Sequence, residues 1–533
     1  MVKKILLAVA VAFVSSLPLL HEGLLPTHDG EYHVIRFFEF NKTLLDGNLY
    51  PRWAPDLNNG FGIPLFNYVY PLPNYVASFF HLFGSSFIDS FKLNMLAAIL
   101  FGSVFFYLWT RKFWGDWGAL VSSVFYSFAP YHLLDVYIRG SVGEVWALAF
   151  LPAFLWSVTK FLRENKFLYA VLSSIFLSLI VFSHNILALM FILFCISYSL
   201  FVLIIQKSKR HYSKLLFVFV LAIGLSAVFW MPAIFEKQYV RGLEVYDYSS
   251  NFPEIYQLII PSWGSGFSGA LQNGLSFQIG LANLLAIFLS ILLLFKKNAK
   301  EYGKIIYFFL ASFLVVLILM LSISKPIWQM VPLMNYFQFP WRLLSLEIVI
   351  CSFLAGGTVF LWKEKTLSII LISIVILLGL GYIKPAYYHL RDDNYYVSRS
   401  NFIDGTNSPG NAFNTVWAGN LEKQKDKIVI SAGEISMVNI NSTRYTFNTS
   451  SNKDSKVLVN TAYFPGWIVY VDGKSRSLQI EEKGAFYFQI PKGSHNIVVQ
   501  LEDTMTRKIA SIISLFSFLG ALLILVRFVK IKR

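Results

Sequence analysis

Twelve stretches of this 533-residue chain are apolar for long enough to cross a bilayer as helices: residues 4–20, 88–110, 117–131, 143–161, 167–184, 185–205, 213–231, 276–295, 305–322, 342–361, 366–383 and 508–528. Such runs limit the fold severely, because backbone N–H and C=O groups in hydrocarbon must be paired within the segment, and only helices and closed barrels achieve that. The composition agrees: 56% of residues are hydrophobic and 14% charged, against about a quarter charged in soluble domains. The expected fold class is therefore a polytopic α-helical membrane protein with about twelve transmembrane helices.

The net charge of +15 would suit a nucleic-acid partner if it formed one surface. Instead the basic residues fall in short clusters between apolar runs, such as Arg111/Lys112, Lys207/Lys209/Arg210, Lys296/Lys297 and Arg527 to Arg533. That is a topology signal, and no nucleic acid is expected. Lys3 and Lys4 precede the first run, which lacks a convincing cleavage site and is read as a retained helix. This puts the N-terminus in the cytoplasm, and alternate crossings bring every basic cluster and the C-terminus to the same side. Residues 70–83 are too short and too Pro-rich to span comfortably; an interfacial or re-entrant helix is expected there.

The same alternation gathers 21–87, 132–142, 232–275, 323–341 and 384–506 on the extracytoplasmic face. The last segment changes to period-two patterns, as in Trp467-Ile-Val-Tyr-Val and Ala485-Phe-Tyr-Phe-Gln-Ile, with a tight hairpin signal at Asp472-Gly473 and a turn at Pro491-Lys-Gly-Ser. Three parts are expected: a transmembrane module, 1–383, with the long loop 21–87; an extracytoplasmic β-sandwich-like domain, 384–506; and a C-terminal helix with a basic tail, 507–533.

The chemistry-bearing residues sit in the loops. Thr27-His-Asp-Gly-Glu-Tyr-His33 follows the first run, and helical spacing from Asp29 would put Asp29, Tyr32 or His33, and Arg36 on one face, able to take a proton and bind an anion. The plainer alternative is that Asp29 or Thr27 caps a surface helix. Arg52 and Asp56 stand in an aromatic, Gly- and Pro-rich stretch, either a shaped loop or an interfacial aromatic belt. Arg139 and Glu144 open an apolar helix, where they either pair or present a guanidinium to phosphate. His184 occupies a turn between two helices, within reach of the same cavity or simply interfacial. Arg342, with Glu347 farther along its helix, either lines a site or snorkels to headgroups. Walker, dinucleotide, HExxH, GxSxG and CxxC signatures do not occur. Cys195 and Cys351 lie inside apolar runs, so neither a disulfide framework nor a Cys-based metal site is expected.

An acid in a long first outer loop, a dozen helices and a β-domain toward the C-terminus resemble the GT-C class of membrane glycosyltransferases. More narrowly, Gly47-Asn-Leu-Tyr-Pro-Arg-Trp53, Gly60-Phe-Gly-Ile-Pro-Leu-Phe66, Arg139-Gly-Ser-Val-Gly-Glu144, Phe337-Gln-Phe-Pro-Trp-Arg342 and Tyr463-Phe-Pro-Gly-Trp467 look like the 6-pyruvoyl-tetrahydropterin synthase-related membrane domain family. The pterin label carries no chemistry here, since no histidine triad on strands stands ready for the zinc of the soluble synthase. The resemblance implies an inverting transfer of a sugar from a polyprenyl-phosphate donor to an extracytoplasmic glycan, lipid or protein. Carried over, the class's first-loop acid falls on Asp29, and the residues themselves add His28 and Glu144 as catalytic candidates and Arg36, Arg52, Asp56, Arg139, His184, Gln338 and Arg342 as substrate-binding candidates. The cofactor is open: many class members carry two acids where this chain has His28-Asp29, and Asp29 and His33 are the candidate ligands for Mg²⁺ or Mn²⁺. The competing readings are a lipid or polysaccharide flippase, and a non-catalytic envelope assembly protein.

Overall fold

The computed structural model describes residues 1–205, 212–243, 248–266, 274–296, 302–398, 412–419 and 421–531, with side chains through Arg527. Its helices are α1 (Val2–Val14), α2 (Gly30–Leu45), α3 (Leu72–Leu82), α4 (Phe87–Phe128), α5 (Pro130–Leu134), α6 (Val142–Glu164), α7 (Phe167–Ser183), α8 (Asn185–Ile205), α9 (Tyr212–Leu225), α10 (Ala227–Phe235), α11 (Ile255–Ile259), α12 (Leu281–Leu294), α13 (Gly303–Met320), α14 (Lys325–Met330), α15 (Leu344–Gly357), α16 (Glu364–Gly379), α17 (Asp393–Ser398) and α18 (Met505–Ile531). Among the described residues seven helical stretches are long and apolar enough to cross a membrane, or eight if the bent pair α9 and α10 counts as one span. The expected count of twelve is larger for identifiable reasons. α1, α7 and α12 have only 13, 17 and 14 residues. The 42-residue α4 takes in two expected crossings, 88–110 and 117–131, broken at Gly115 by a φ of 65°.

α4 forms the centre of the bundle, packed by α1, α6, α15 and α16, while α7 and α8 lean on α6. α6 and the stretch Pro340–Leu361 have most of their surfaces inside the protein, whereas α16 and α18 are largely exposed. The two central helices can therefore carry polar groups that a lipid-facing helix could not tolerate. The stretch 70–83 forms the 11-residue α3, too short to span, with Phe79, Leu82 and Phe83 exposed at its end.

The strands are β1 (Ile428–Ile430), β2 (Glu434–Ile440), β3 (Arg444–Ser451), β4 (Ser455–Ala462), β5 (Trp467–Val471), β6 (Lys474–Arg476), β7 (Gln479–Ile480), β8 (Ala485–Ile490) and β9 (Gly493–Leu501). They form two antiparallel sheets, ordered β1-β4-β8-β7 and β2-β3-β9-β5-β6. Asp472 and Gly473 both take positive φ, the geometry of a two-residue hairpin turn, between β5 and β6. The Pro491 turn instead carries the chain from one sheet to the other, since β8 and β9 do not pair. Segment 384–398 belongs with the helices: His389 bridges Leu24, and the Asp393 carboxylate accepts from Phe87 N and Ile88 N at 2.6 and 3.1 Å, capping α4. Residues 399–411 of the expected β-domain lie outside the described residues.

The sheets are seated on the loop between α2 and α3. Trp53, Phe61 and Tyr68 share one core with Tyr445, Phe464 and Trp467 of the β-domain, and Trp53 meets Trp467 edge-on at 5.5 Å. Polar contacts rim this seam: Ala462 N donates to Phe61 O at 2.9 Å, Ser442 N to the Asp46 carboxylate at 2.7 Å, and Lys427 Nζ to Gly60 O at 2.7 Å. The aromatic loop is thus a docking platform. Gly62 holds a φ of +78°, and a Cβ there would lie 2.5 Å from Trp53 Nε1. Burial lowers the Lys427 ammonium to about 7, Asp56 pulling partly the other way.

Gly62→Ala should therefore displace Trp53 and cost about 1–3 kcal/mol, read as an earlier thermal transition of tryptophan fluorescence in detergent. Lysine in an unfolded chain stays protonated to about 10.4, so above about 7 the folded state binds fewer protons than the unfolded one and stability rises with pH. The β-domain should resist heat better at higher pH within that window, and Lys427→Met should remove the difference.

Candidate functional site

The site begins with an irregularity between two helices. After α5, residues Asp135–Arg139 wind as a π-turn, and Gly140 closes it in the left-handed region at φ 66° before α6 starts. This places Asp135 and Arg139 on one side and points Arg139 across the gap at Glu144 in the first turn of α6. The pair is bidentate: Arg139 Nη1 to Glu144 Oε2 and Nη2 to Oε1, each 2.6 Å. Nη1 also reaches Asp135 Oδ1 at 2.5 Å and the Tyr131 hydroxyl at 3.1 Å, and the guanidinium lies 5.0 Å over the Trp341 ring. Glu144 and Asp135 are 0% exposed and Arg139 5%. A lone carboxylate could not remain charged in such a place; the fork of Arg139 allows it.

Two more cationic or basic groups approach Glu144. Arg342 Nε lies 3.5 Å from Oε1 and His184 Nε2 3.7 Å from the same oxygen. Arg342 is only 8% exposed, yet its Nε and Nη1 have no hydrogen-bond partner among the described residues. It is held inside the protein rather than extended to lipid headgroups. Burial first, and then the charge of Glu144, push the Asp135 carboxyl well above the usual range, which favours its neutral form. Arg139 and Arg342 both face the one carboxylate of Glu144.

The first long loop closes over this cluster by backbone pairing. His28 N donates to Ile138 O and Asp29 N to Arg139 O, both 2.9 Å. Gly140 permits the approach, since a Cβ there would be 2.3 Å from Thr27 Oγ1. Residues from Gly30 onward are helical with Asp29 at the N-cap position, and the Thr27 hydroxyl accepts from Gly30 N at 3.1 Å. The Asp29 carboxylate makes no cap bond, and among the described residues it has no ion pair. Arg36, two turns along, is half-buried and crosses the Tyr32 ring at 5.7 Å. Tyr70 stands beside them, its ring stacked on His184 at 5.0 Å. Burial raises the Tyr70 phenol, and the charges of Arg36, Asp29, Glu144 and Arg342 all act on it.

Asp29, Arg36, Arg139, Glu144, His184 and Arg342 are thus brought together. His33 is buried against Phe91, at 6.0 Å, and its imidazole is held well below its ordinary range by burial, with Arg36 and His184 adding to the effect. His28 is exposed and its Nε2 meets Ser265 O at 2.8 Å. Arg52 and Asp56 lie elsewhere, at the β-domain seam: Arg52 bonds Asn67 at 3.1 Å and faces Asp503 at 3.4 Å, while Asp56 pairs with Lys42 at 2.5 Å. Gln338 is half-buried at an unusual φ of 64°, in the turn before Pro340. Glu347 does not meet Arg342; among the described residues its Oε1 makes no hydrogen bond, and Cys351 Sγ lies 3.9 Å from Oε2. No group of three or more His, Cys, Asp or Glu placed to hold a metal occurs among the described residues. Sequence reasoning passed over Tyr70, Tyr131 and Trp341 as residues of the site. The one available signal was Asp135, four residues before Arg139.

Glu144→Gln should deprive the buried Arg139 of its bidentate partner and cost about 3–5 kcal/mol, whereas Arg342→Gln, which leaves the two Arg139–Glu144 bonds in place, should cost less than that. Thermal unfolding of the two variants in one detergent checks the order.

Residues 66–386 match the family described as "6-pyruvoyl-tetrahydropterin synthase related domain; membrane protein". An uncharacterized protein of Lactococcus lactis subsp. cremoris (strain MG1363) is 23% identical over 246 residues, 43% of this chain and 40% of the relative. The match thus spans well under half of that protein. Tyr70, Arg139, Glu144, His184 and Arg342 fall within the family region; Asp29 and Arg36 precede it. The chain belongs to the 6-pyruvoyl-tetrahydropterin synthase-related family of membrane proteins.

Proposed function

We propose that this protein is a GT-C-like membrane glycosyltransferase, with twelve crossings, both termini in the cytoplasm and the Glu144 cluster and β-domain on the extracytoplasmic face. The donor is a sugar on a polyprenyl phosphate, and the acceptor a glycan, lipid or protein hydroxyl outside the cytoplasm. One observation carries the reading: among the described residues the Asp29 carboxylate has no ion pair, and it stands beside a buried cluster in which Nε and Nη1 of Arg342 make no hydrogen bond, Nε facing Glu144 at 3.5 Å. The first is what a general base needs and the second is what an anionic leaving group needs.

In the proposed step the acceptor oxygen attacks the anomeric carbon while its proton passes to Asp29. The bond from that carbon to the phosphate oxygen breaks, the electron pair leaves with the lipid phosphate, and the anomeric configuration inverts. Arg342 and Arg36 stabilise the charge that develops on the departing phosphate. Glu144 positions Arg139 and Arg342 and touches no reacting atom. Where a hard divalent cation takes part, Asp29 is the oxygen ligand the site offers.

The test is sugar transfer in proteoliposomes from a radiolabelled polyprenyl-phosphate donor. Wild-type protein should transfer label and Asp29→Asn should lose it by about 10²–10⁴-fold without a change in thermal unfolding. Full activity in the variant removes Asp29 as the base. Lipid that changes leaflet with its sugar bond intact would instead identify a flippase.

A further inference from the structure

The motif 70–73, Tyr-Pro-Leu-Pro, is not used by the mechanism above, yet its first residue occupies the middle of the site. Three features fix the Tyr70 ring. It stacks on the His184 imidazole at 5.0 Å with the planes 29° apart. It lies on the first turn of α6 where Gly143 leaves room, since a Cβ at that glycine would come 2.5 Å from both Cε2 and Cζ of the tyrosine. Its own carbonyl accepts from Asn74 Nδ2 at 3.0 Å, tying it to the start of α3. A ring located this closely has little freedom, so the position of its hydroxyl is fixed as well.

That hydroxyl makes no hydrogen bond among the described residues, although the phenol feels the charges of Arg36, Asp29, Glu144 and Arg342. The nearby Tyr131 shows the contrast: its hydroxyl sits between Arg139 and Glu144, at 3.1 and 3.4 Å, and is used up by the structural pair. Among the described residues the groups of the site that make no hydrogen bond include the Tyr70 phenol, Nε and Nη1 of Arg342, Trp341 Nε1, Asp135 Oδ2 and the carboxylate of Asp29, with Arg342 Nε 3.5 Å from Glu144 Oε1. Donors outnumber acceptors. The phenol and the guanidinium nitrogens can all donate to one oxyanion, while Asp29 must face a group that still carries a proton.

We infer that Tyr70 is a substrate-binding residue whose hydroxyl donates a hydrogen bond to a phosphoryl oxygen that Arg342 also holds, orienting the phosphate so that the carbon attached to it faces Asp29. This rests on the transferase reading and deepens it. The tyrosine supplies direction and the arginine charge, so removing the hydroxyl should weaken phosphate binding without altering the acceptor.

Tyr70→Phe keeps the ring, its stack on His184 and its fit against Gly143, and so should fold. In the transfer assay the KM for the polyprenyl-phosphate sugar should rise about ten- to hundred-fold, as for the loss of a hydrogen bond to a charged group, with the acceptor KM unchanged. Binding to the purified protein should be measured in parallel with a short-chain polyprenyl phosphate and with inorganic phosphate. Weaker binding of the lipid phosphate to Tyr70→Phe supports the assignment, and a matching loss for inorganic phosphate shows that the hydroxyl reads the oxyanion without the tail. Unchanged donor KM and unchanged binding overturn the role of Tyr70 and leave the transferase reading standing. A raised acceptor KM alone would move Tyr70 to the acceptor side and also overturn it. If wild-type protein neither transfers sugar nor binds either probe, the transferase reading fails first and the inference with it.

Discussion

The buried ion pair of Arg139 and Glu144 is the constraint on which the site depends. A carboxylate at 0% exposure on a helix of the bundle's centre is costly unless its charge is matched and its oxygens are bonded. Arg139 does both with two parallel bonds. It can do so because the π-turn and the left-handed Gly140 reverse the chain within a few residues. Everything else is fastened to that reversal: the first long loop pairs with its carbonyls, Tyr70 lies on the helix that follows it, and Arg342 leans on the same Glu144 oxygen. The fixed pair is the scaffold on which the groups around it are placed.

A second anchoring principle operates at the β-domain. The loop between α2 and α3 has two tasks, divided along its length. Residues 46–68 give their aromatic rings and carbonyls to the β-sheets, and Tyr70, two residues beyond Tyr68, turns into the charged cluster. Glu236 links the parts again from the other side, where it binds Arg507 at 2.9 Å and accepts from Asn67 at 2.9 Å. A movement of the β-domain would therefore be felt at Tyr70 through only a few residues of loop.

The sequence was most legible where physics acts on one segment at a time. The helical runs, the alternation of β5 and β8 and the Asp472-Gly473 turn follow from local pattern. β2 was missed because its residues are largely exposed and show no alternation. The break in α4 was foreseen as a loop between two crossings and is a single glycine instead. Arg52 and Asp56 looked like Arg139 and Glu144 in type and setting, a charge among aromatics and glycines. Only tertiary structure separates them, because the first two find partners at the seam and the others face one another across a turn. Tyr70 was hidden for the opposite reason: one tyrosine among many in an aromatic loop carries no local mark of the imidazole it will stack on.

The account stands or falls on where an anionic lipid headgroup sits. A structure of the protein in nanodiscs with a non-hydrolysable polyprenyl-phosphonate sugar would show this directly. The account predicts phosphonate oxygens within hydrogen-bond distance of Arg342 and the anomeric carbon on the side of Asp29, with the Arg139 and Glu144 bonds unchanged. A headgroup bound away from Arg342, or an Asp29 carboxylate turned into a structural ion pair, would contradict it.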